Sequence, residues 1–221
     1  MTETVQIELP DGSAAVSGLW SSPSGADLLY VFGHGAGAGM RHPFMETVAD
    51  RLAGIGVATL RFQFPYMDRG SRRPDPQPLL LDTVRAAVRH ARVRCELPLL
   101  AGGKSMGGRM TSLAQSQAPL DGVRGLVFFG FPLHPAGRPG TARAAHLAQI
   151  EIPMLFLQGS RDALSELELL EPVIEGLKPG ATLHVLQGAD HGFAVRKKDG
   201  RTAEDVLDEA IATFERWRRT T

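Results

Sequence analysis

One short stretch, residues 101–109, constrains the fold of this chain more than any other. It reads Ala-Gly-Gly-Lys-Ser-Met-Gly-Gly-Arg, with an apolar run over 97–101 before it and a helix-like segment over 110–114 after it. The pattern predicts a strand, a tight turn and a helix, with the hydroxyl of Ser105 at the apex of the turn. The core of the turn, residues 103–107, fits the G-x-S-x-G pattern of a nucleophile elbow, in which small residues let the helix approach the strand.

The rest of the chain predicts a hairpin followed by alternating strands and helices. Residues 5–9 alternate apolar and polar side chains, and the turn residues 10–13 separate them from a second strand at 14–20. Buried strands are predicted at 28–32, 57–62, 97–101, 123–129, 153–157 and 182–186, and helices at 44–53, 79–93, 110–114, 142–147, 165–177 and 202–218. This order predicts one α/β domain over residues 1–221, with a mostly parallel sheet of about eight strands and helices on both faces.

Two further segments are predicted to be irregular. Residues 63–78 contain four prolines and a cluster of arginines, which predicts a long loop, and long loops are often functional. Residues 130–148 are too few for a large lid domain over the sheet, so we expect an open and shallow site.

Composition and charge exclude several classes of partner. Lysine plus arginine equals aspartate plus glutamate at 24 each, so no net field attracts nucleic acid or an anionic membrane. The single cysteine, Cys95, excludes an internal disulfide, and no histidine or carboxylate spacing matches a zinc motif. No apolar run approaches the roughly 18 residues of a membrane helix, and the N-terminal residues lack a signal-peptide pattern. We therefore expect a cytoplasmic protein without metal or cofactor, whose partner is a small molecule.

Chemistry-bearing side chains follow several of the predicted strands directly. In a parallel sheet, ligands bind where the carboxyl ends of the strands meet their loops. Four glycine-containing loops lie at such positions, namely residues 33–39, 103–108, 158–162 and 187–193. The last three of these loops contain Ser105, Asp162 and His191, in the chain order of a nucleophile-elbow triad.

Each of these three residues has a predicted role. A serine hydroxyl attacks well only when a base takes its proton, and His191 is the histidine that lies in a loop after a late strand. Asp162 is the predicted carboxylate that orients this base, although an N-cap role ahead of the next helix is an alternative. Asp190 is a rival for the acid role, but a residue adjacent to the histidine rarely reaches round to its Nδ1 atom.

An oxyanion formed on the substrate needs backbone N–H donors. One donor is predicted to be Met106, the residue after the nucleophile, and the other to come from the loop after the third strand. In that loop Ala36 is the preferred donor and Gly35 the alternative. A phosphate cradle is a competing interpretation of these glycines, but the Walker A pattern would need a glycine where the chain has Pro98, and no acidic residue completes a dinucleotide fingerprint.

Four polar residues are predicted to bind substrate because they lie at or just past the carboxyl ends of strands: His34, Arg61, Lys104 and His134. Arg61 stands between two apolar strand residues, where a charge needs a partner. That partner is either an acidic group of the substrate or a carboxylate of the protein. The arginines of the 63–78 loop either influence substrate choice or form a solvated surface.

Four segments, residues 33–37, 61–66, 102–108 and 130–135, carry a family resemblance. With them the whole chain resembles a compact α/β-hydrolase of the dienelactone-hydrolase-like kind, and it is similar to the branch that includes the testis-expressed hydrolase-like proteins. The resemblance implies Ser105, Asp162 and His191 as the catalytic triad. Dienelactone hydrolase itself uses a cysteine nucleophile, so lactone hydrolysis is not implied.

Taken together, these patterns predict a carboxylesterase-like serine hydrolase. Its substrate would be a small ester, thioester or amide, cleaved through an acyl-enzyme. An acyltransferase or a peptidase could use the same triad. A binding or scaffold protein without turnover is the alternative of another class, because a fold does not determine a function.

Overall fold

The described part of the chain forms one eight-stranded sheet. The structure is a computed structural model that describes residues 2–10, 12, 14–177 and 180–221. Its strands are β1 (Thr2–Glu8), β2 (Ala15–Ser21), β3 (Leu28–Gly33), β4 (Val57–Phe62), β5 (Leu99–Lys104), β6 (Val123–Phe129), β7 (Met154–Gly159) and β8 (Ala181–Leu186). They lie in the order β1-β2-β4-β3-β5-β6-β7-β8. The pairs β1–β2 and β2–β4 are antiparallel and all the other pairs are parallel, which confirms the predicted sheet.

Helices cover both faces of this sheet. They are α1 (Pro43–Gly54), α2 (Pro65–Asp68), α3 (Gln77–Arg94), α4 (Met106–Gln117), α5 (Leu167–Glu175) and α6 (Ala203–Arg218), with 3₁₀ helices at Ala142–Gln149 and Lys197–Asp199. Successive strand residues point to opposite faces, so Leu29 and Val31 of β3 enter the core beneath α3, α4 and α5. Tyr30 and Phe32 enter the second core, beneath α1 and α6. Both faces of the strand are therefore buried, as its continuous apolar sequence predicts.

Two predicted segments differ from the structure. The predicted loop at 63–78 contains α2 and the start of α3, because Pro65 and Pro78 lie in the first turns of these helices. Proline suits that position, since its fixed φ is helical and its missing N–H has no intrahelical acceptor. The helix predicted from residue 165 begins at Leu167, after an N-cap at Glu166. The predicted turn at 10–13 includes Asp11 and Ser13, which lie outside the described residues.

The topology produces a crevice at the carboxyl edge of the sheet. Strand β3 pairs with β4 on one side and with β5 on the other, so the connections that leave β3 and β5 run in opposite directions. Ligands of α/β proteins bind at such a switch point. Within the described residues only the 3₁₀ helix Ala142–Gln149 lies between β6 and β7, so the predicted absence of a large lid domain is confirmed. Of the helices in the described ranges, none has the length and hydropathy needed to cross a membrane.

Candidate active site

Ser105 occupies a sharp turn between β5 and α4. Its backbone has φ 51° and ψ −115°, a conformation that residues with side chains rarely adopt. Two flanking glycines make this turn possible. A Cβ atom on Gly103 would lie 2.4 Å from the carbonyl oxygen of Gly33, and one on Gly107 would lie 2.2 Å from the same oxygen. The predicted strand, tight turn and helix are therefore observed, with the serine at the apex.

His191 lies in the loop after β8 and contacts the Ser105 hydroxyl. Its Nε2 atom is 2.8 Å from Ser105 Oγ, and its Nδ1 atom is 2.7 Å from Oδ2 of Asp162, in the loop after β7. The carboxylate of Asp162 is fully buried. An ionised carboxylate only accepts hydrogen bonds, so the proton of the imidazole belongs on Nδ1 and Nε2 is free to accept the serine proton. The structure thus brings the three predicted residues together in one hydrogen-bonded chain.

Asp162 is held by two donors besides His191. Its Oδ2 accepts from Nε2 of Gln158 at 2.6 Å, and its Oδ1 accepts from the backbone N–H of Leu164 at 2.8 Å. The alternative role of Asp162 as a helix N-cap does not occur, because α5 begins five residues later with a different cap. The carboxylate is therefore fixed in position and orientation toward the imidazole.

The rival acid, Asp190, stabilises the turn that carries the histidine. Its Oδ1 accepts from the backbone N–H groups of Gly192 at 2.8 Å and Ala194 at 3.0 Å. Asp190 therefore bonds to its own loop, and Asp162 is the carboxylate in contact with the imidazole.

Lys104, directly before Ser105, holds the loop that carries His191. Its Nζ donates to the carbonyl oxygen of His191 and lies 5.4 Å and 5.1 Å from the ring centroids of Phe44 and Phe193. Burial lowers the pKa of Lys104 to about 8, although the charges of Asp162 and Asp190 oppose this shift. The residue lines the cavity beside Ser105, but its ammonium group is bonded within the protein.

The predicted oxyanion donors lie around the serine. Met106 is the first residue of α4, so its N–H has no acceptor within the helix. Gly35 and Ala36 line a cavity together with Ser105, and a Cβ atom on Gly35 would lie 3.7 Å from Ser105 Cβ. The next two N–H groups of this loop are engaged, because Gly37 donates to the Tyr66 hydroxyl and Ala38 to the carbonyl of Gly35.

Two cavities meet at Ser105. The first has a volume of about 330 Å³ and is lined by His191 and by mainly apolar side chains, including Ala38, Phe44 and Met45. The second has a volume of about 400 Å³ and is lined by Met106, two arginines and the end of the 63–78 segment. Ala36, Ser105 and Leu164 line both cavities. A substrate with its reacting carbon at Ser105 can therefore extend in two directions.

Three of the four predicted substrate contacts do not line either cavity. His34 is fully buried, and its Nδ1 and Nε2 bond the carbonyl of Gly35 and the N–H of Phe64. Burial lowers the pKa of His34 to about 4, so the imidazole is neutral and joins the loops after β3 and β4. The prediction that His34 binds substrate is therefore wrong, because its side chain points into the protein.

Arg61 and His134 are also turned inward. Arg61 donates to the carbonyl of Met40 at 3.3 Å and lies 3.9 Å from the Glu46 carboxylate, which makes its partner an internal one. His134 is bonded to the carbonyl of Pro135 and to the Glu166 carboxylate. The prediction of substrate binding by these two residues is corrected accordingly, because the protein itself supplies their partners.

Three residues of the site were not predicted from the sequence. Gln158 precedes Asp162 by four residues at the end of β7, a position that could have suggested support of the carboxylate. Arg109 follows Ser105 by four residues and therefore lies on the same face of α4. Arg143 gives no local signal, because the packing of the 3₁₀ helix against α4 brings it to the cavity.

The chain matches a known family and several solved structures. A family profile for the alpha/beta hydrolase domain matches residues 26–219. A dienelactone hydrolase from Anabaena variabilis is 23% identical, with a TM-score of 0.78 over 98% of this chain and 97% of that chain. An α/β serine hydrolase homologue from Coxiella burnetii is 20% identical, with a TM-score of 0.77 over 96% of this chain and 98% of that chain.

A third similar structure is XC6422 from Xanthomonas campestris, which is reported as an α/β serine hydrolase without a lid. It is 19% identical, with a TM-score of 0.75 over 98% of this chain and 94% of that chain. At these identities the structural likeness shows the shared fold. The closer resemblance to the testis-expressed hydrolase-like proteins stays a prediction.

Proposed function

The chain belongs to the alpha/beta hydrolase domain family, and on that premise we propose that it is a serine hydrolase that cleaves a small ester, thioester or amide through an acyl-enzyme. One observation carries this proposal. Asp162, His191 and Ser105 form an unbroken chain of hydrogen bonds, at 2.7 Å and 2.8 Å, at the open end of the crevice. Such a chain is the arrangement that converts a serine hydroxyl into a nucleophile.

Acylation begins with the Ser105 hydroxyl. Its oxygen attacks the carbonyl carbon of the substrate while Nε2 of His191 takes the hydroxyl proton. The carbonyl oxygen becomes an oxyanion, which the N–H groups of Met106 and Ala36 would stabilise. The imidazolium is stabilised by the Asp162 carboxylate, and its Nε2 proton passes to the leaving group as the tetrahedral intermediate collapses.

Deacylation repeats these steps with water. His191 takes a proton from a water molecule, whose oxygen attacks the acyl carbon, and the proton then passes to Ser105 Oγ as the acid product leaves. The same two backbone donors serve the second oxyanion. The contact of Lys104 with the carbonyl of His191 supports this cycle by holding the imidazole in place.

The two cavities suggest how the substrate is oriented. The leaving group must receive its proton from His191, so it belongs in the mainly apolar cavity that His191 lines. The acyl group then extends into the cavity lined by Met106, Arg109 and Arg143. This orientation favours an apolar leaving group and a polar acyl group.

The proposal is tested by turnover of p-nitrophenyl esters of increasing acyl length. We expect hydrolysis by the wild-type protein and loss of hydrolysis in Ser105→Ala, with an unchanged fold by circular dichroism. Ser116→Ala is a matched control, because Ser116 lies on the same helix and its hydroxyl donates to the carbonyl of Leu113. Equal turnover by wild type and Ser105→Ala, or no turnover of any ester by folded wild type, would contradict the proposal.

A further inference from the structure

Two arginines beside Ser105 lack a partner among the residues that the structure describes. Arg109 lies one turn along α4 from Ser105, and Arg143 lies in the 3₁₀ helix Ala142–Gln149, which is joined to α4 by a 2.7 Å contact between His146 and Ser112. Both arginines line the second cavity, as Ser105 does. Within residues 2–10, 12, 14–177 and 180–221, neither guanidinium makes a hydrogen bond or an ion pair, and Nε of Arg109 is buried without any partner.

The two guanidinium groups also repel each other. The pKa of Arg109 is lowered by burial and by the positive charge of Arg143, and burial lowers the pKa of Arg143. Unpaired charges taken partly out of water cost free energy unless an opposite charge offsets that cost. The arrangement is therefore unfavourable in the free protein, and a bound anion would relieve it.

The neighbouring ionisable groups do not supply that anion. Asp75 lines the same cavity. Its Oδ1 is paired with Arg69 and its Oδ2 is buried without a hydrogen-bond partner, but the carboxylate lies beyond ion-pair distance of the two cavity arginines. His146, behind Arg109, is neutral at neutral pH, because burial and the charge of Arg109 lower its pKa to about 4. The cavity thus presents two donor-rich cations to whatever group the acyl chain carries.

We infer that Arg109 and Arg143 form a binding site for a carboxylate at the far end of the acyl group, so that the preferred substrates are half-esters of dicarboxylic acids. The planar guanidinium fork matches the two oxygens of a carboxylate, and charge-assisted hydrogen bonds of this kind are the strong ones. The inference rests on the proposed function, since it assigns the acyl group to the cavity opposite His191. It names Arg109 and Arg143 as residues that determine substrate choice and that take no part in bond making.

The first test compares charged and neutral esters of matched length. Phenyl half-esters of four- to eight-carbon dicarboxylic acids are assayed against the phenyl esters of the monocarboxylic acids with equal carbon number. At the best chain length, Arg109→Gln and Arg143→Gln should each lower the ratio of kcat/KM for the charged ester to kcat/KM for the neutral ester by about 10- to 100-fold. Arg109→Lys should retain part of the preference, because it keeps the charge and loses the fork.

Arg89→Gln is the matched control, because it removes one positive charge from the exposed surface of α3 and leaves both cavities intact. This substitution should leave kcat/KM unchanged for both the charged and the neutral ester. A ratio of charged to neutral turnover that is the same in wild type and in both glutamine variants, at every chain length, would overturn the inference and leave the proposed hydrolase unaffected.

A second test does not depend on turnover. Binding of the free dicarboxylates to Ser105→Ala is measured by calorimetry and compared with binding to Ser105→Ala combined with Arg109→Gln. The inference predicts that adding Arg109→Gln raises the Kd of the dicarboxylates by about tenfold or more. Equal affinities, or no binding by Ser105→Ala, would overturn it. A protein that hydrolyses no ester yet binds dicarboxylates through Arg109 would contradict the proposed function alone.

Discussion

Replacing Asp162 by asparagine tests whether this carboxylate orients the His191 imidazole. Three donors point at this carboxylate: Nδ1–H of His191 and Nε2–H of Gln158 at one oxygen, and the N–H of Leu164 at the other. Asparagine has one acceptor oxygen and one NH₂ group, so in either orientation a donor faces a donor. An NH₂ group toward the imidazole forces the wrong tautomer, and an NH₂ group toward Leu164 still removes the charge that stabilises the imidazolium.

In either orientation, the asparagine stabilises the transition state much less than the aspartate does. We expect kcat of Asp162→Asn to fall by about 10³ to 10⁴, which corresponds to roughly 4 to 5.5 kcal/mol of lost stabilisation. The control is Asp190→Asn, which keeps a side-chain oxygen for the N–H groups of Gly192 and Ala194 and should retain most of the activity. Both variants are assayed on the best p-nitrophenyl ester, with circular dichroism to verify folding. A larger loss in Asp190→Asn, or a loss below tenfold in Asp162→Asn, would refute this reasoning.

Two further predictions concern stability. The pKa of Lys104 is lowered by burial from 10.5 to about 8, so its charged form costs stability below pH 8 and that cost fades as the pH rises toward 10.5. Denaturant titrations should therefore show that the unfolding free energy of wild type rises relative to that of Lys104→Met by about 2 to 3 kcal/mol between pH 7 and pH 10. If the difference in unfolding free energy between the two proteins stayed constant over this pH range, the burial of a charged lysine would be contradicted. Gly107→Ala places a Cβ 2.2 Å from the carbonyl oxygen of Gly33 and should lower stability by at least about 2 kcal/mol in the same assay. Gly54→Ala, at the end of α1 in open space, should raise stability by about 0.5 to 1 kcal/mol, and equal effects of the two substitutions would be contrary to a tight elbow.

The fold and the neighbourhood of the three central residues could be predicted because they depend on local patterns. Apolar runs and turn residues define the strands, and the carboxyl ends of parallel strands lie at one edge of the sheet. Ser105, Asp162 and His191 follow β5, β7 and β8, which lie within four neighbouring strands. The contact among them then requires only that the three loops turn inward.

The substrate contacts could not be predicted in the same way, because they depend on side-chain direction and on distant packing. His34 follows β3 as predicted, yet its ring points inward and joins two loops. Lys104 lies at the cavity, but its ammonium group donates a hydrogen bond to the carbonyl of His191, which is 87 residues away in sequence. Arg109 and Arg143 line one cavity only because a 3₁₀ helix packs on α4, and no periodicity in the sequence encodes that packing.

The central claim is that Ser105 is an activated nucleophile, and covalent labelling tests it most directly. Folded wild-type protein is treated with a fluorophosphonate, which forms a stable adduct with an activated serine and spares an ordinary one, and the labelled peptide is identified by mass spectrometry. We predict a single adduct on Ser105 that is absent from Ser105→Ala and greatly slowed in His191→Gln, because His191 Nε2 lies 2.8 Å from the hydroxyl. An adduct on another serine, or no adduct on the folded protein, would contradict the account.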